Sequence, residues 1–443
     1  MMVLMDENVR MALRGRVMAG DVKPELDGRV VNLFGWVHEI RDLGKLVFIL
    51  LRDVSGICQV VFRMEEVEQS VRDAVKGLTN ESAVFVEGVV VKQPRSKLGV
   101  EVVGKRLTVL GRAVPKLELD PTGKVPAGLD ARLRHRILDL RRPEVRAVFL
   151  VGSEVLKAMR DFFHMKGFVE VRTPKLIGSA TEGGAELFEV KYFDRVAYLA
   201  QSPQLYKEQL TTVFEKVCEI GPYFRAEASH TGRHISEFTS VDIEQSFADM
   251  YEVMDVLEEL VVHVHKHLVE NHQHLLQMLG VNLRVPKRHF KRFTYDEALE
   301  ILRSEGVEMR WGEDFGTPHL RLLGKKYPTY YFITHFPTES KPFYIQETEK
   351  DPRISESFDL MYQWLELASG GTRVSDHDVL ERKLREKGLN PAMFEDHLKV
   401  FSYGMPVHAG WGLGFERFLM VLTRRTNIRE TVLFPRDRFR LTP

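Results

Sequence analysis

Between Val30 and Leu110 short apolar runs recur at strand length: Val30-Val-Asn-Leu-Phe-Gly-Trp-Val, Leu46-Val-Phe-Ile-Leu-Leu-Arg-Asp, Gly56-Ile-Cys-Gln-Val-Val-Phe, Ala83-Val-Phe-Val-Glu-Gly-Val-Val-Val and Val100-Glu-Val-Val. Helical spacing interrupts them near Val67–Leu78. Five strands with a helix between the third and fourth predict a small barrel of the kind that binds oligonucleotides on one face. Arg41, Phe48 and Gln59 are expected on that face, since a ring flanked by a cation and an amide suits unpaired bases. The alternative places Phe48 in the core and its neighbours in solvent.

Residues 113–143 change character. Pro115, Pro121, Gly123, Pro126 and Gly128 punctuate them, and a basic run from Arg132 to Arg142 follows. This predicts a hinge, with the basic run as a phosphate contact or a solvated helix face. Helical periodicity then spans Val145–Lys166, with Val148, Val151, Val155, Met159, Phe162 and Phe163 on the apolar face and Gly167 as the stop. Phe168-Val-Glu-Val-Arg-Thr-Pro174 reads as a strand closed by proline. In the stretch Gly221–Glu244, apolar runs flank a polar loop, which predicts a hairpin. Arg225 and Glu227 are two apart and would project from one face of its first strand. Arg233 and His234 fall in the loop, and Glu237-Phe238 open the returning strand.

Composition narrows the field. In 443 residues, 63 Lys+Arg balance 63 Asp+Glu, so any nucleic-acid contact must rest on local patches. Cys58 and Cys218 lack CxxC spacing, which argues for reduced core thiols and against a structural zinc site. No apolar run reaches membrane-spanning length, so a cytoplasmic location is expected. Residues 1–24 form an extension, frayed helix or without fixed structure. Residues 25–112 are the barrel, 113–143 the hinge, and 144–443 a second domain with a small insertion at about 280–340.

The long helix, short strand and Pro174 together resemble the first motif of the class II aminoacyl-tRNA synthetases. Phe224-Arg225-Ala-Glu227 resembles their second motif, and Gly410-Trp-Gly-Leu-Gly-Phe-Glu-Arg417 their third. The order of the three motifs behind an N-terminal barrel is similar to the aspartate, asparagine and lysine subgroup. Ala180-Thr-Glu-Gly-Gly, Gln201-Ser-Pro-Gln-Leu-Tyr-Lys207, Ser369-Gly-Gly-Thr-Arg373 and the tail from Phe434 resemble the archaeal-type aspartyl-tRNA synthetases. The resemblance implies an α+β chain, with an OB-type barrel followed by an antiparallel catalytic sheet flanked by helices.

It also implies roles. Arg225 would bridge the reacting carboxylate and the α-phosphate of ATP, and Arg417 would clamp the γ-phosphate. Arg233 and His234 would meet the outer phosphates, Phe238 would stack on adenine, and Glu227 would read its amine. Glu366 and Ser369 would hold Mg²⁺. Glu182, Ser202, Gln204, Lys207 and Arg373 would bind aspartate. Lys207 and Arg373, two cations aimed at one pocket, suit a side-chain carboxylate, and asparagine would leave them unpaired. On the barrel, Arg41, Phe48, Gln59 and Glu87 would read the anticodon. His38, where strict forms tend to carry tryptophan, and Pro94 resemble relaxed forms that charge tRNA(Asn) as well as tRNA(Asp). Pro174 would lie in a homodimer interface. An asparaginyl-tRNA synthetase and an inactive RNA-binding paralogue share the motifs. The first would lack the Lys207/Arg373 pairing, and intact Arg225, Glu366 and Arg417 argue against the second.

Overall fold

A computed structural model of the chain describes residues 7–94, 96, 98–178, 187–229 and 231–442. They fall into two compact units, Met1–Ala127 and Gly128–Pro443.

The first unit is a closed barrel of β1 (Val30–Asp42), β2 (Leu46–Arg52), β3 (Ile57–Arg63), β4 (Ala83–Lys92) and β5 (Val100–Gly111), in the order β1-β2-β3-β5-β4. Strict alternation fills it: Val47, Ile49 and Leu51 point in from β2, and Cys58, Val60 and Phe62 from β3. Helix α2 (Gln69–Lys76) adds Val71 and Val75 to the same core. The described part of the N-terminal extension starts with a helix. Helix α1 (Glu7–Arg14) sets Val9 and Ala12 against Phe34 and Phe85 on the outside of the barrel.

The second unit begins earlier than the punctuation suggested, because the basic run is folded into it. Helices α3 (Leu129–Arg134) and α4 (Arg136–Asp139) carry Arg132 and Arg136 onto Asp139, at 2.8 and 2.7 Å. Arg136, 2% exposed, also donates to the carbonyls of Val432 and Leu433. A guanidinium that needs buried acceptors finds them in the C-terminal tail, so Arg136 is structural and faces no phosphate. The hinge therefore cannot extend to residue 143.

Helix α5 (Pro143–Met165) has Pro at its first turn and matches the predicted span within two residues. It lies with α7 (Met250–Asn271) and the short α8 (Gln273–Met278) in the large core that covers one face of an eight-stranded sheet. Asp249 and Glu252 close a capping box at the start of α7. The sheet order is β12-β13-β14-β15-β16-β11-β10-β6. Its strands are β6 (Val169–Glu170), β10 (Lys216–Phe224), β11 (Glu237–Ser246), β12 (Lys291–Thr294), β13 (Tyr330–Thr334), β14 (Ser357–Tyr362), β15 (Leu365–Thr372) and β16 (His408–Gly414). Strands β7 (Leu176–Ile177), β8 (Glu189–Tyr192) and β9 (Arg195–Leu199) form a separate small sheet. The stretch at 280–340 contributes β12 and β13 to the main sheet and carries α9 (Tyr295–Ser304) and α10 (Thr317–Lys326), so it is an integral edge of the fold. Helices α6 (Gln204–Phe214), α11 (His377–Glu386), α12 (Glu395–Phe401) and α13 (Phe415–Thr423) complete the unit.

At the sheet centre Gly410 pairs with Glu244. A methyl group on Gly410 would overlap the Ile243 carbonyl and the Glu244 carboxylate. Glycine there lets the Glu244 carboxylate lie across the neighbouring strand. Cys58 and Cys218 are free and buried, and burial pushes both thiols up to about 12. Among the described residues no helix is long and apolar enough to cross a membrane.

Candidate active site

A cleft of about 370 Å³ opens over β11, β15 and β16. On β11 the period-two alternation turns Phe238, Ser240 and Asp242 into it. The second-motif hairpin differs in one respect from its expected form. Strand β10 ends at Phe224, so Arg225 and Glu227 sit in the loop, yet both line the cleft with Arg233 and His234.

One end is rich in guanidinium groups. Arg225 lies 5.5 Å from the Phe238 ring centroid. Arg417, in the first turn of α13, donates to the carbonyls of Glu366 (3.2 Å) and Arg233 (3.4 Å). Burial lowers the pKa of Arg417, and Arg233 and Arg225 push the same way against Glu366. Arg233 donates to Thr317 Oγ1 at 3.1 Å. Like charges gathered this closely favour a polyanionic ligand. His234 does not add to them. Burial, with the three arginines, moves its pKa below the usual histidine value despite Glu227. Its Nδ1 lies 2.7 Å from Thr231 Oγ1. At neutral pH it is therefore a neutral imidazole, a hydrogen-bonding group beside the arginines.

Ser202, Gln204 and Arg373 line the opposite end. Arg373 donates through Nε (2.8 Å) and Nη2 (3.3 Å) to Glu244. Lys207, 2% exposed, lies behind the wall: its Nζ donates to Asp242 Oδ1 (3.0 Å) and the Trp411 carbonyl (3.2 Å) and stands 3.4 Å from Glu244 Oε2. The expectation of two cations aimed at one pocket is thus corrected for Lys207, which does not line the cleft. A buried ammonium must be compensated, and Asp242 and Glu244, alternate residues of β11, do so. Burial raises the Asp242 carboxyl, while Lys207 and Ser240 oppose the shift. Gln204 Nε2 donates to Glu208 Oε1 at 2.6 Å, and Glu208 is flanked by His397 (3.3 Å) and His408 (3.8 Å). Burial opposes ionisation of Glu208, but the two imidazoles outweigh it and hold its pKa well below the carboxylate range. Burial lowers the His408 pKa, yet Glu208 carries it above the ordinary value.

Between the ends stands an oxygen cluster. Ser369 on β15 is paired across the ladder with Asp359 on β14, and Glu366 lies two pairs on, past a register shift, opposite Met361. Burial and neighbouring Glu366 raise the Asp359 carboxyl, whereas Lys341 at 2.9 Å and Ser369 lower it. Two adjacent carboxylates and a hydroxyl, all hard oxygen donors, suit Mg²⁺. Asp359 and Lys341 were missing from the set read in the sequence.

The family model described as "tRNA synthetases class II (D, K and N)" matches residues 128–438, and that for the "OB-fold nucleic acid binding domain" matches residues 31–110. The chain belongs to the class II tRNA synthetases of the D, K and N group. Among its relatives, the aspartate–tRNA(Asp/Asn) ligase of Archaeoglobus fulgidus is 50% identical over 97% of this chain and 100% of its own. The aspartate–tRNA(Asp) ligase of Pyrococcus abyssi is 48% identical over 96% and 99%. In structure, the chain is similar to the asparaginyl-tRNA synthetase of Pyrococcus horikoshii complexed with asparaginyl-adenylate, with a TM-score of 0.91, 35% identity, and coverage of 97% and 99%.

The remaining expected residues of this class II synthetase are placed as follows. On the barrel, Arg41 and Phe48 are cross-strand neighbours facing outward, Arg41 exposed and Phe48 half-buried, so Phe48 is not core. Gln59 is on the next strand and donates to Glu101 at 3.0 Å. Glu101, which sequence reading passed over as one polar residue in an apolar run, thus joins this face. Glu87 is paired instead with Arg106, opposite Asn32 of β1 and nine residues along that strand from Arg41. His38 sits at a bulge of β1, where its Nδ1 accepts from Arg52 at 2.8 Å beside a buried Arg52–Glu81 pair. Pro94 and Pro174 are exposed. Glu182 lies outside the described residues.

Proposed function

We infer that this synthetase is an aspartate–tRNA ligase, and that it charges tRNA(Asn) as well as tRNA(Asp). In the first step an oxygen of the aspartate α-carboxylate attacks the α-phosphorus of ATP, and pyrophosphate leaves. In the second the terminal ribose hydroxyl attacks the aspartyl carbonyl, and AMP leaves. The observation that carries this reading is one cleft with Arg225, Arg233 and Arg417 at one end and Arg373 at the other.

Two anions must be brought together, so the work is positional and electrostatic. Arg225, beside Phe238, would hold the carboxylate and α-phosphate while the ring and Glu227 hold adenine. Arg417, Arg233 and neutral His234 would take the outer phosphates. Glu244 engages Nε and Nη2 of Arg373, which leaves Nη1 to bind the aspartate side chain. Gln204, held by Glu208, and Ser202 would complete that end, with Glu182 from the preceding loop. Glu366 and Ser369, with Asp359 beside them, would hold Mg²⁺, which when bound offsets phosphate charge. Arg41, Phe48, Gln59 and Glu101 would receive anticodon bases. His38, anchored on Arg52, would tolerate either third base. Pro174, exposed beyond β6, would lie in a homodimer contact.

ATP–pyrophosphate exchange with aspartate and with asparagine tests the first claim: aspartate alone should support it, and exchange with asparagine only would overturn it. Charging both tRNA transcripts tests the second. An efficiency on tRNA(Asn) about a thousandfold below that on tRNA(Asp), the discrimination a single well-built contact set can reach, would remove it.

A further inference from the structure

Five of the chain's 16 histidines fall within twelve residues: His263, His265, His267, His272 and His274. His265 is a satisfied core residue, bonded to the Arg284 carbonyl and the Tyr330 hydroxyl, each at 2.8 Å. His267 is different. Its Nε2 is buried and has no hydrogen-bond partner. A buried polar atom in that state calls for an explanation.

On an unbroken helix His267 and His272, five residues apart, would diverge by about 140°. The chain breaks between α7 and α8 at His272, which is non-helical at φ −129° and ψ 29° and serves as the C-cap of one helix and the N-cap of the next. The break turns His272 back, and the two rings meet with centroids 4.8 Å apart. Glu154 reaches them from α5. Its Oε2 lies 3.5 Å from His267 Nε2 and 3.2 Å from His272 Nε2, and the three ligand atoms all lie within 4.8 Å of one another.

Pairing of Glu154 with His272 alone, at 3.2 Å, leaves the buried His267 Nε2, 3.5 Å away, unsatisfied. A tetrahedral ion with metal–donor bonds of about 2.1 Å sets its donors about 3.4 Å apart, close to both observed values. We propose that Glu154, His267 and His272 form a second metal site that takes a zinc-type divalent ion through two imidazoles and one carboxylate. The donor set contains no cysteine, so CxxC spacing could not reveal it. The side chains are 17–30% exposed, which leaves room for water as the fourth ligand. Borderline nitrogen donors also separate it from the all-oxygen cluster at Glu366, which favours Mg²⁺. The ion would pin α5 to the α7–α8 turn on the helical face of the catalytic sheet.

Equilibrium dialysis of the full chain against Co²⁺ or Zn²⁺, with Mg²⁺ in excess to hold the oxygen site, tests this. One ion per chain is expected, with the intense visible absorption of tetrahedral Co²⁺. His272→Asn and Glu154→Gln should each lose the ion and the absorption while keeping pyrophosphate exchange. Zn²⁺ at a hundred times its Kd should favour the folded wild type by a further factor of about 100, and the variants not at all. Equal ion retention by wild type and His272→Asn, or none by wild type, would overturn the site. Loss of exchange with both amino acids in a wild type that still retains the ion would count against the functional reading and leave this one standing.

Discussion

Lys207 and Arg373 share one carboxylate: Glu244 Oε2 lies 3.4 Å from the lysine Nζ, and Glu244 Oε1 accepts from the arginine Nε at 2.8 Å. The end of the cleft lined by Arg373 is therefore balanced in charge without a ligand. Glu244→Gln should leave one buried positive charge uncompensated. Urea unfolding is expected to report a loss of about 3–5 kcal/mol, the usual penalty for removing one partner of a buried pair. A loss under about 1 kcal/mol would mean that the cations relax to water.

Arg225 and Phe48 should separate the two halves of the reaction. Arg225→Ala is expected to lower aspartyl-adenylate formation by about 10²–10³, the scale of losing one aimed donor at a developing charge. Binding of tRNA, followed by filter retention, should be nearly unchanged. An equal fall in both would show that Arg225 does not serve the reacting centre.

Phe48→Ala should do the reverse. Loss of one stacked base costs about 1–3 kcal/mol, which predicts roughly 5- to 150-fold weaker tRNA binding, with pyrophosphate exchange intact. Glu87→Gln, by contrast, should only weaken its pairing with Arg106 and leave charging unaltered.

Glu416 sets a pH dependence of stability. Burial raises its carboxyl to about 7, against the two bonds of 3.0 Å that it accepts from the Thr239 N–H. Because the folded pKa lies above the unfolded one, the native state binds the extra proton between about 4.5 and 7. Its share of stability is whole below that window and is lost as pH rises through it. Thermal melts of Glu416→Gln should lack this decline, and above pH 7 the variant should be the more stable by up to about 3 kcal/mol. A wild type with no slope in the window would contradict the shift.

Local pattern carried much of this architecture. The five barrel strands, the helix ending near Gly167 and the return strand beginning at Glu237 rest on periodicity and breakers, which act over a few residues. What escaped were partnerships fixed by register. Asp242 and Glu244 stood in the predicted hairpin, but their use depends on Lys207, 35 residues from Asp242, and on Arg373, 129 from Glu244. The alternation Phe238, Ser240, Asp242, Glu244 was the available signal. Glu101 was hidden for the same reason, since only the closure of β3 on β5 brings it to Gln59. The basic run misled because charge along a sequence says nothing of acceptors that return from the far end of the chain to meet Arg136.

Strand β11 has a further consequence. Phe238, Ser240, Asp242 and Glu244 are alternate positions of a single strand. One residue inserted or deleted ahead of Phe238 would turn all four to the other face together, and one placed between them would split the set, so no change in length alters one end of the cleft and spares the alignment with the other. Within this scaffold, a new amino-acid preference is open to substitution alone.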